Sequence, residues 1–272
     1  MRNHTLEKYK LFDLPSQRNS LIFSDTYDTK IIVNQIEEKI NFLKRFGFEF
    51  NNICEIKCTE QTWYLKYEGN INNFDIIFNL LMEDISLVYL CINCNIYKNG
   101  KMIEIINDIK ILYNPYSFRQ NDTSIKNTIY DILIKEIKNK NLYLIGGEMV
   151  FYCVLLKPNN FIMYTDYESI YEDAITNFSD MNDNITFINY DKDKLKKCEK
   201  DYTLIANTSK HGLGDNLCKE INKLELDELV IISCNKKSFI RDLKKLELKY
   251  KLIKYFDINT NYSVCVYFLT KK

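Results

Sequence analysis

The sequence predicts an α/β protein: a small α+β domain over residues 1–112, then a domain over 113–272 built on a parallel sheet with a C-terminal antiparallel strand pair. Three observations predict it. From Pro115 onward, short apolar runs alternate with segments of helical periodicity. At the C-terminus the runs 252–256 and 263–269 follow one another with no helix between them, as an antiparallel pair does. Four of the seven glycines fall in two strand-to-helix loops, Gly146-Gly147 and Gly212/Gly214, where the backbone needs positive φ or close approach.

Taken in order, residues 1–30 are polar and weakly patterned and read as an arm or edge element. Over 30–46 the apolar positions Ile32, Val33, Ile36, Ile40, Leu43 and Phe46 recur at helical spacing, and Gly47 reads as the helix stop. Strand-like runs follow at 53–57, 61–67, 74–81 (with a helix as the alternative) and 87–97. Asn99-Gly100 suits a primed hairpin turn leading into 102–106. Beyond Pro115 the spacing predicts a helix over 123–138, capped by Thr123 or Asp122. It then predicts strands at 142–145, 161–165, 185–189, 203–206 and 229–232, and helices at 149–156, 168–178, 216–224 and 238–246.

Composition bounds the function. A hydrophobic fraction of 46% supplies a packed core. Thirty-seven basic residues balance 37 acidic ones, which excludes a nucleic-acid grip by whole-protein field and leaves local patches open. Nine scattered cysteines, an odd number, fit an intracellular, reducing compartment, cytoplasmic or organellar, better than a disulfide framework. The N-terminal stretch lacks an apolar core and reads as neither secretory signal nor transit peptide. No window approaches the roughly 20 apolar residues of a membrane span, so no membrane partner is expected.

The chemistry-bearing candidate is Cys234, delivered by the apolar run 229–232 to a strand's carboxyl end just before a helix, where open α/β sheets place ligands. A buried, inert strand-end cysteine is the bland alternative. Cys54/Cys58 and Cys91/Cys94 can be aligned as a zinc quartet. An alternating strand, however, sends Cys91 and Cys94 to opposite faces, which argues against one. His4 and His211 have no Cys or Asp neighbour that would make a ligand set, and His211 reads as a solvated loop residue. The lysine-rich stretches 192–200 and 236–254 are open to phosphate contact, but the acids interleaved in them make solvated helix faces the better reading. Tyr164, Tyr167 and Tyr171 read as core and rim.

Five segments in order resemble one family, the S-adenosylmethionine-dependent RNA (uracil-5-)-methyltransferases, especially their ribosomal-RNA branch. SFRQND over 117–122 is similar to the family's Ser-Phe-Phe-Gln-x-Asn, and LYLIGGEMVFYC to its Leu-Tyr/Phe-Cys-Gly-x-Gly loop. Asp166 falls at the acidic ribose-binding position. IANTSKHGLGDNLCKEI resembles the Asn/Asp-Pro-Pro-Arg-x-Gly-Ile/Leu-Gly loop, and IISCNKKSFIRDLKKL the nucleophile motif. The likeness covers roughly 36–272. It implies a Rossmann-like class I methyltransferase domain with S-adenosylmethionine held by Gln120, Gly146, Gly147, Asp166 and Asn207. It implies Cys234 as the ancestral nucleophile, and RNA as partner, ribosomal or transfer, with ribosomal or other ribonucleoprotein partners.

The departures are as informative. Where the family has Phe-Asp-x-Phe-Pro-x-Thr-x-His-x-Glu, alignment on Thr260 puts Tyr262 at the histidine and Val264 at the glutamate that serves as general base. Ile145 stands at the first glycine of the cofactor loop, and Thr208-Ser209-Lys210 replaces Pro-Pro-Arg. The resemblance therefore implies impaired catalysis, or a non-catalytic structural subunit descended from the family.

Overall fold

The computed structural model describes residues 29–59, 61–71, 74–120, 123–188, 193–197, 201–259 and 263–272. The readings that fall on His4, Asp122, Thr260 and Tyr262 lie outside the described residues. The described residues divide into two compact units, one running to Lys126 and the other from Asn127 to Lys272.

In the first unit, helix α1 (Thr29–Arg45) precedes a four-stranded sheet of order β1-β2-β3-β4, made of Ile53–Cys58, Trp63–Tyr67, Leu87–Ile92 and Asn95–Asn99. The run 74–81 is helical, as α2 (Phe74–Glu83), because β2 and β3 pair in parallel and need a crossover between them. The hairpin turn is not at Asn99-Gly100. It is Asn93-Cys94, both with positive φ (49° and 64°), and it joins β3 to β4. A second such turn, Asn107-Asp108, closes the separate hairpin of β5 (Met102–Ile106) and β6 (Ile109–Tyr113). Cys94 therefore sits exposed in a turn, whereas Cys91 is buried in β3. Trp63, Leu65, Leu81 and Leu90 fill this unit's core.

The second unit carries a seven-stranded sheet of order β12-β13-β11-β10-β7-β8-β9. Its strands are β7 (Asn141–Gly146), β8 (Asn160–Thr165), β9 (Ile185–Phe187), β10 (Thr203–Thr208), β11 (Glu228–Ser233), β12 (Tyr250–Asn259) and β13 (Ser263–Lys271). The helices are α3 (Thr123–Glu136, within which the unit boundary falls), α4 (Met149–Leu156), α5 (Glu168–Asn177), α6 (Gly214–Lys223) and α7 (Lys236–Leu246). All neighbouring strands are parallel except β13, which runs antiparallel to both β11 and β12.

The C-terminal pair is thus not simply appended at the edge: the last strand inserts between β11 and β12. Its composition requires this. Val264 through Leu269 are buried without a break, so both faces and both edges of β13 need neighbours. In β12, Lys251, Ile253 and Tyr255 are exposed, and the two lysines Lys251 and Lys254 protect the open edge. One face of the sheet, with Tyr143, Ile145, Leu204, Ala206, Leu229, Ile231 and Tyr267, packs on Leu217, Ile221, Phe239 and Leu246 of α6 and α7. Phe239 and Tyr267 stack across that contact.

Candidate active site

Strand β7 is flanked by β8 on one side and β10 on the other, so the order reverses there and the loops leave in opposite directions. A cleft of about 690 Å³ opens at this point. Ile145 and Gly146 line it from β7, Asp166 follows β8, Ile188 follows β9, and Asn207 ends the buried part of β10. Three positions from distant segments, Gly146, Asp166 and Asn207, are therefore brought together. Asp166 is exposed at its strand end. Ile145, besides lining the cleft, is 3% exposed and belongs to the core beneath it.

Gly146 has φ +89, and a Cβ there would lie 2.2 Å from the Asn207 carbonyl oxygen. No other residue lets the two backbones approach so closely. Gly147 donates its N–H to the same carbonyl at 3.1 Å. Next comes Glu148, 3% exposed and left-handed at φ 59. Its carboxylate accepts from Tyr152 Oη (2.9 Å) and from Asn207 Nδ2 (3.1 Å), and Asn207 Nδ2 also donates to Tyr152 Oη at 2.7 Å. A buried carboxylate is tolerable only with such partners.

The loop after β10 is held from α7. Lys210 O accepts from Asn235 Nδ2 (2.9 Å) and Ser238 Oγ (2.8 Å), and His211 O accepts from Arg241 Nη2 (2.6 Å). Asp242, 1% exposed, accepts the Leu213 N–H at 2.7 Å and bonds Arg241 through Nε and Nη2. Positions 235, 238, 241 and 242 share one helix face, which explains why one helix reaches the whole loop. Side-chain clamps thus fix residues 210–213 of the loop.

Cys234 is exposed, not buried, and directly precedes α7, whose N-cap Asn235 accepts the N–H groups of Lys237 and Ser238. It does not line the cleft. On the neighbouring strand Ser233 pairs with Cys265, so Cys234 leaves β11 where Val264 enters β13. Val264 is 4% exposed. The nearest carboxylate in register is Asp257, opposite Cys265, and it is engaged: Lys236 pairs with it and Cys265 Sγ donates to it at 3.4 Å. Gln120 belongs to the first unit. Its half-buried segment is anchored by Arg119, whose guanidinium bonds both Glu104 oxygens at 2.8 and 2.7 Å.

The comparisons bear on this geometry. No family model matches the chain. Among solved structures, the chain is similar to the Pyrococcus abyssi tRNA (uracil-54, C5)-methyltransferase in complex with S-adenosyl-L-homocysteine. That match has a TM-score of 0.61 and 16% identity, and it covers 88% of this chain and 67% of that one. It is also similar to the M. jannaschii tRNA m1G37 methyltransferase, with a TM-score of 0.50 and 11% identity over 89% and 77% of the two chains. The fold is that of a class I methyltransferase. In sequence, this methyltransferase-fold chain is 26% identical over 196 residues to an uncharacterized RNA methyltransferase of Fusobacterium nucleatum, matching 64% of this chain and 42% of that protein. It is therefore RNA-methyltransferase-like in sequence, and it spans less than half the length of that curated relative.

Three residues around this cleft are not singled out by the sequence, Glu148, Tyr152 and Arg241, whereas Asp242 is the helix aspartate of the segment that resembles the nucleophile motif. Glu148 had a signal, since it is the lone charge in the run 142–156. Tyr152 and Arg241 had none.

Proposed function

We propose that this protein is a divergent RNA (uracil-C5)-methyltransferase. In this reading it binds S-adenosylmethionine in the cleft and engages an RNA uracil through Cys234, and its turnover is impaired. The observation that carries the reading is the pairing of an exposed Cys234 at the end of β11 with a buried Val264 at the adjoining position of β13. The likenesses to a tRNA uracil-C5 methyltransferase in fold and to an RNA methyltransferase in sequence support it.

The cleft residues fit an adenosyl group. Asp166 offers a carboxylate at the second strand's end, where ribose hydroxyls are met in doubly wound sheets. Ile145 and Ile188 give apolar walls, and the Gly146 backbone closes on Asn207 with no side chain between. When bound, S-adenosylmethionine would supply the methyl group. The Cys234 thiolate forms a bond from sulfur to C6 of the uracil, which makes C5 nucleophilic. After C5 is methylated, its proton must leave before the sulfur–C6 bond breaks. Val264 cannot take that proton, and Asp257 is held by Lys236. Loss of a general base costs about 10²–10⁴ in rate, so the covalent methylated adduct accumulates.

The test is incubation with uracil-containing RNA and S-adenosylmethionine, resolved under denaturing conditions. A covalent RNA complex that carries the methyl label and disappears in Cys234→Ala is expected. Absence of any adduct, also with 5-fluorouracil RNA, together with no calorimetric binding of S-adenosylmethionine, overturns the reading.

A further inference from the structure

Arg241 has a role that the motif reading does not give it. Its guanidinium is planted: Nε and Nη2 bond Asp242, and Nη2 also reaches His211 O. Its side chain is nonetheless 47% exposed and lines the cleft. Nη1 has no protein partner among the described residues, so its N–H groups remain available at the cleft lining. Around it, Lys210 is exposed in the clamped loop and Lys237 is exposed in the first turn of α7, toward Cys234. Acids near Arg241 are few. Asp242 is buried beneath it, and Asp215 on α6 is paired with Lys245; Asp166 shares the cleft.

We infer that the shelf made by the loop after β10 and the first turns of α7 grips phosphates of an RNA strand beside the acceptor nucleotide. Arg241 supplies a charge-assisted contact through Nη1, and Lys210 and Lys237 lie along the strand's path toward Cys234. The inference rests on the RNA-methyltransferase reading and deepens it by naming the phosphate subsite. Two features favour a polyanion over the carboxylate of the methyl donor. A single carboxylate is satisfied by one cation, whereas exposed cations here run from the cleft to the helix start that follows Cys234. The loop is also fixed in advance by four side chains of α7, and a pre-ordered donor set gains most from a ligand of fixed charge spacing. Arg241 would thus replace, from a neighbouring helix, the arginine that the loop has exchanged for Lys210.

The experiment measures anisotropy of a fluorescent oligouridine against salt, with calorimetry of S-adenosylhomocysteine on the same full-length variants. Arg241→Gln is expected to weaken RNA binding about tenfold and lower the salt slope by about one ion, and S-adenosylhomocysteine affinity should be unchanged in Lys237→Gln, whose side chain lies outside the cleft. Arg241→Lys should restore the slope and only part of the affinity. Lys237→Gln removes a side chain with no partner among the described residues, so its fold is not at risk, and it should also lower the slope by about one. An unchanged slope in both glutamine variants overturns the inference and leaves the methyltransferase reading standing. A loss confined to S-adenosylhomocysteine reassigns Arg241 to the methyl donor and also overturns it. Wild-type protein that binds S-adenosylhomocysteine but no oligouridine overturns the phosphate shelf. Protein that binds neither overturns both readings.

Discussion

Glu148 Oε2 receives a hydrogen bond from Asn207 Nδ2 at 3.1 Å and thereby ties the turn after β7 to the end of β10, 59 residues later. The same two strand ends meet a second time through the backbone, where Gly147 N–H bonds Asn207 O. The cleft therefore has a floor fixed by both a side-chain and a main-chain link.

Glu148→Ala should leave the buried Asn207 amide and Tyr152 hydroxyl short of an acceptor and lower stability by about 1–3 kcal/mol. Urea denaturation measures this. Calorimetry should show affinity for S-adenosylmethionine falling about tenfold, or roughly 1.4 kcal/mol. Glu148→Gln keeps an acceptor oxygen and should lose much less on both measures.

Asp242→Ala should cost about 2–4 kcal/mol, because it strips the Leu213 N–H and Arg241 of their acceptor. Gly212 lies directly above, at φ +75, and a Cβ there would stand 2.2 Å from Asp242 Oδ2. Gly212→Ala should therefore be less harmful in the Asp242→Ala background than in the wild type. In that background the positive-φ penalty of about 1–2 kcal/mol remains, together with close contacts to Arg241 Nη2 and Ser238 Cβ, each at 3.1 Å. A double-mutant cycle by thermal denaturation checks the sign of the coupling.

Val264→Glu places a carboxylate at a 4%-exposed position and should cost about 2–5 kcal/mol of stability. If the chain still folds, the covalent RNA adduct should turn over and release 5-methyluridine, while Val264→Gln should not release it. Mass spectrometry of digested RNA distinguishes the two.

Thiol alkylation at pH 8 should modify Cys234 early, since it is exposed. Cys153 and Cys218 should stay unmodified, because burial pushes both thiols up to about 12, with Asp242 adding to the rise at Cys218. Raising the pH to 9 leaves both protonated, so only unfolding exposes them. Peptide mapping after timed iodoacetamide treatment reads the order.

Acid stability should report Asp84. Burial alone would raise its carboxyl, but hydrogen bonds from Ser86 and from Trp63 Nε1 (3.0 Å) outweigh that, and Lys39 adds to them; the carboxyl is held at about 2 against an ordinary 3.8. The folded state thus binds this proton more weakly than the unfolded state. Its stabilisation is complete above about pH 4 and is lost as pH falls through about 2. Asp84→Asn should flatten the stability slope across that window, as followed by tryptophan fluorescence, because Trp63 is the bonded ring and the chain's single tryptophan.

Much was legible in the residues alone. Period-two and period-3.6 patterns located nearly every strand and helix from Asn141 onward, and Gly146, Asp166 and Asn207 were placed at strand ends that do converge on one cleft. The misreadings came where local signals compete. Asn99-Gly100 carries the stronger turn signature, yet Asn93-Cys94 makes the hairpin, because β4 must fold back on β3 to cover its edge. The run 74–81 reads as a strand with a helix as its alternative, and the parallel pairing of β2 with β3 decided for the helix.

By itself, the sequence determined the alternation of strands and helices, the glycine turns and the strand-end cysteine, because these depend on contacts within a few residues. Tertiary structure alone decided the rest. It inserted β13 beside β11, which sets a buried valine against the exit of Cys234. It turned one face of α7 into a clamp for the loop after β10, and it joined Glu148 to Asn207. Each of these pairs residues tens of positions apart. Their meeting follows from burying the apolar faces of seven strands at once, which local periodicity does not encode.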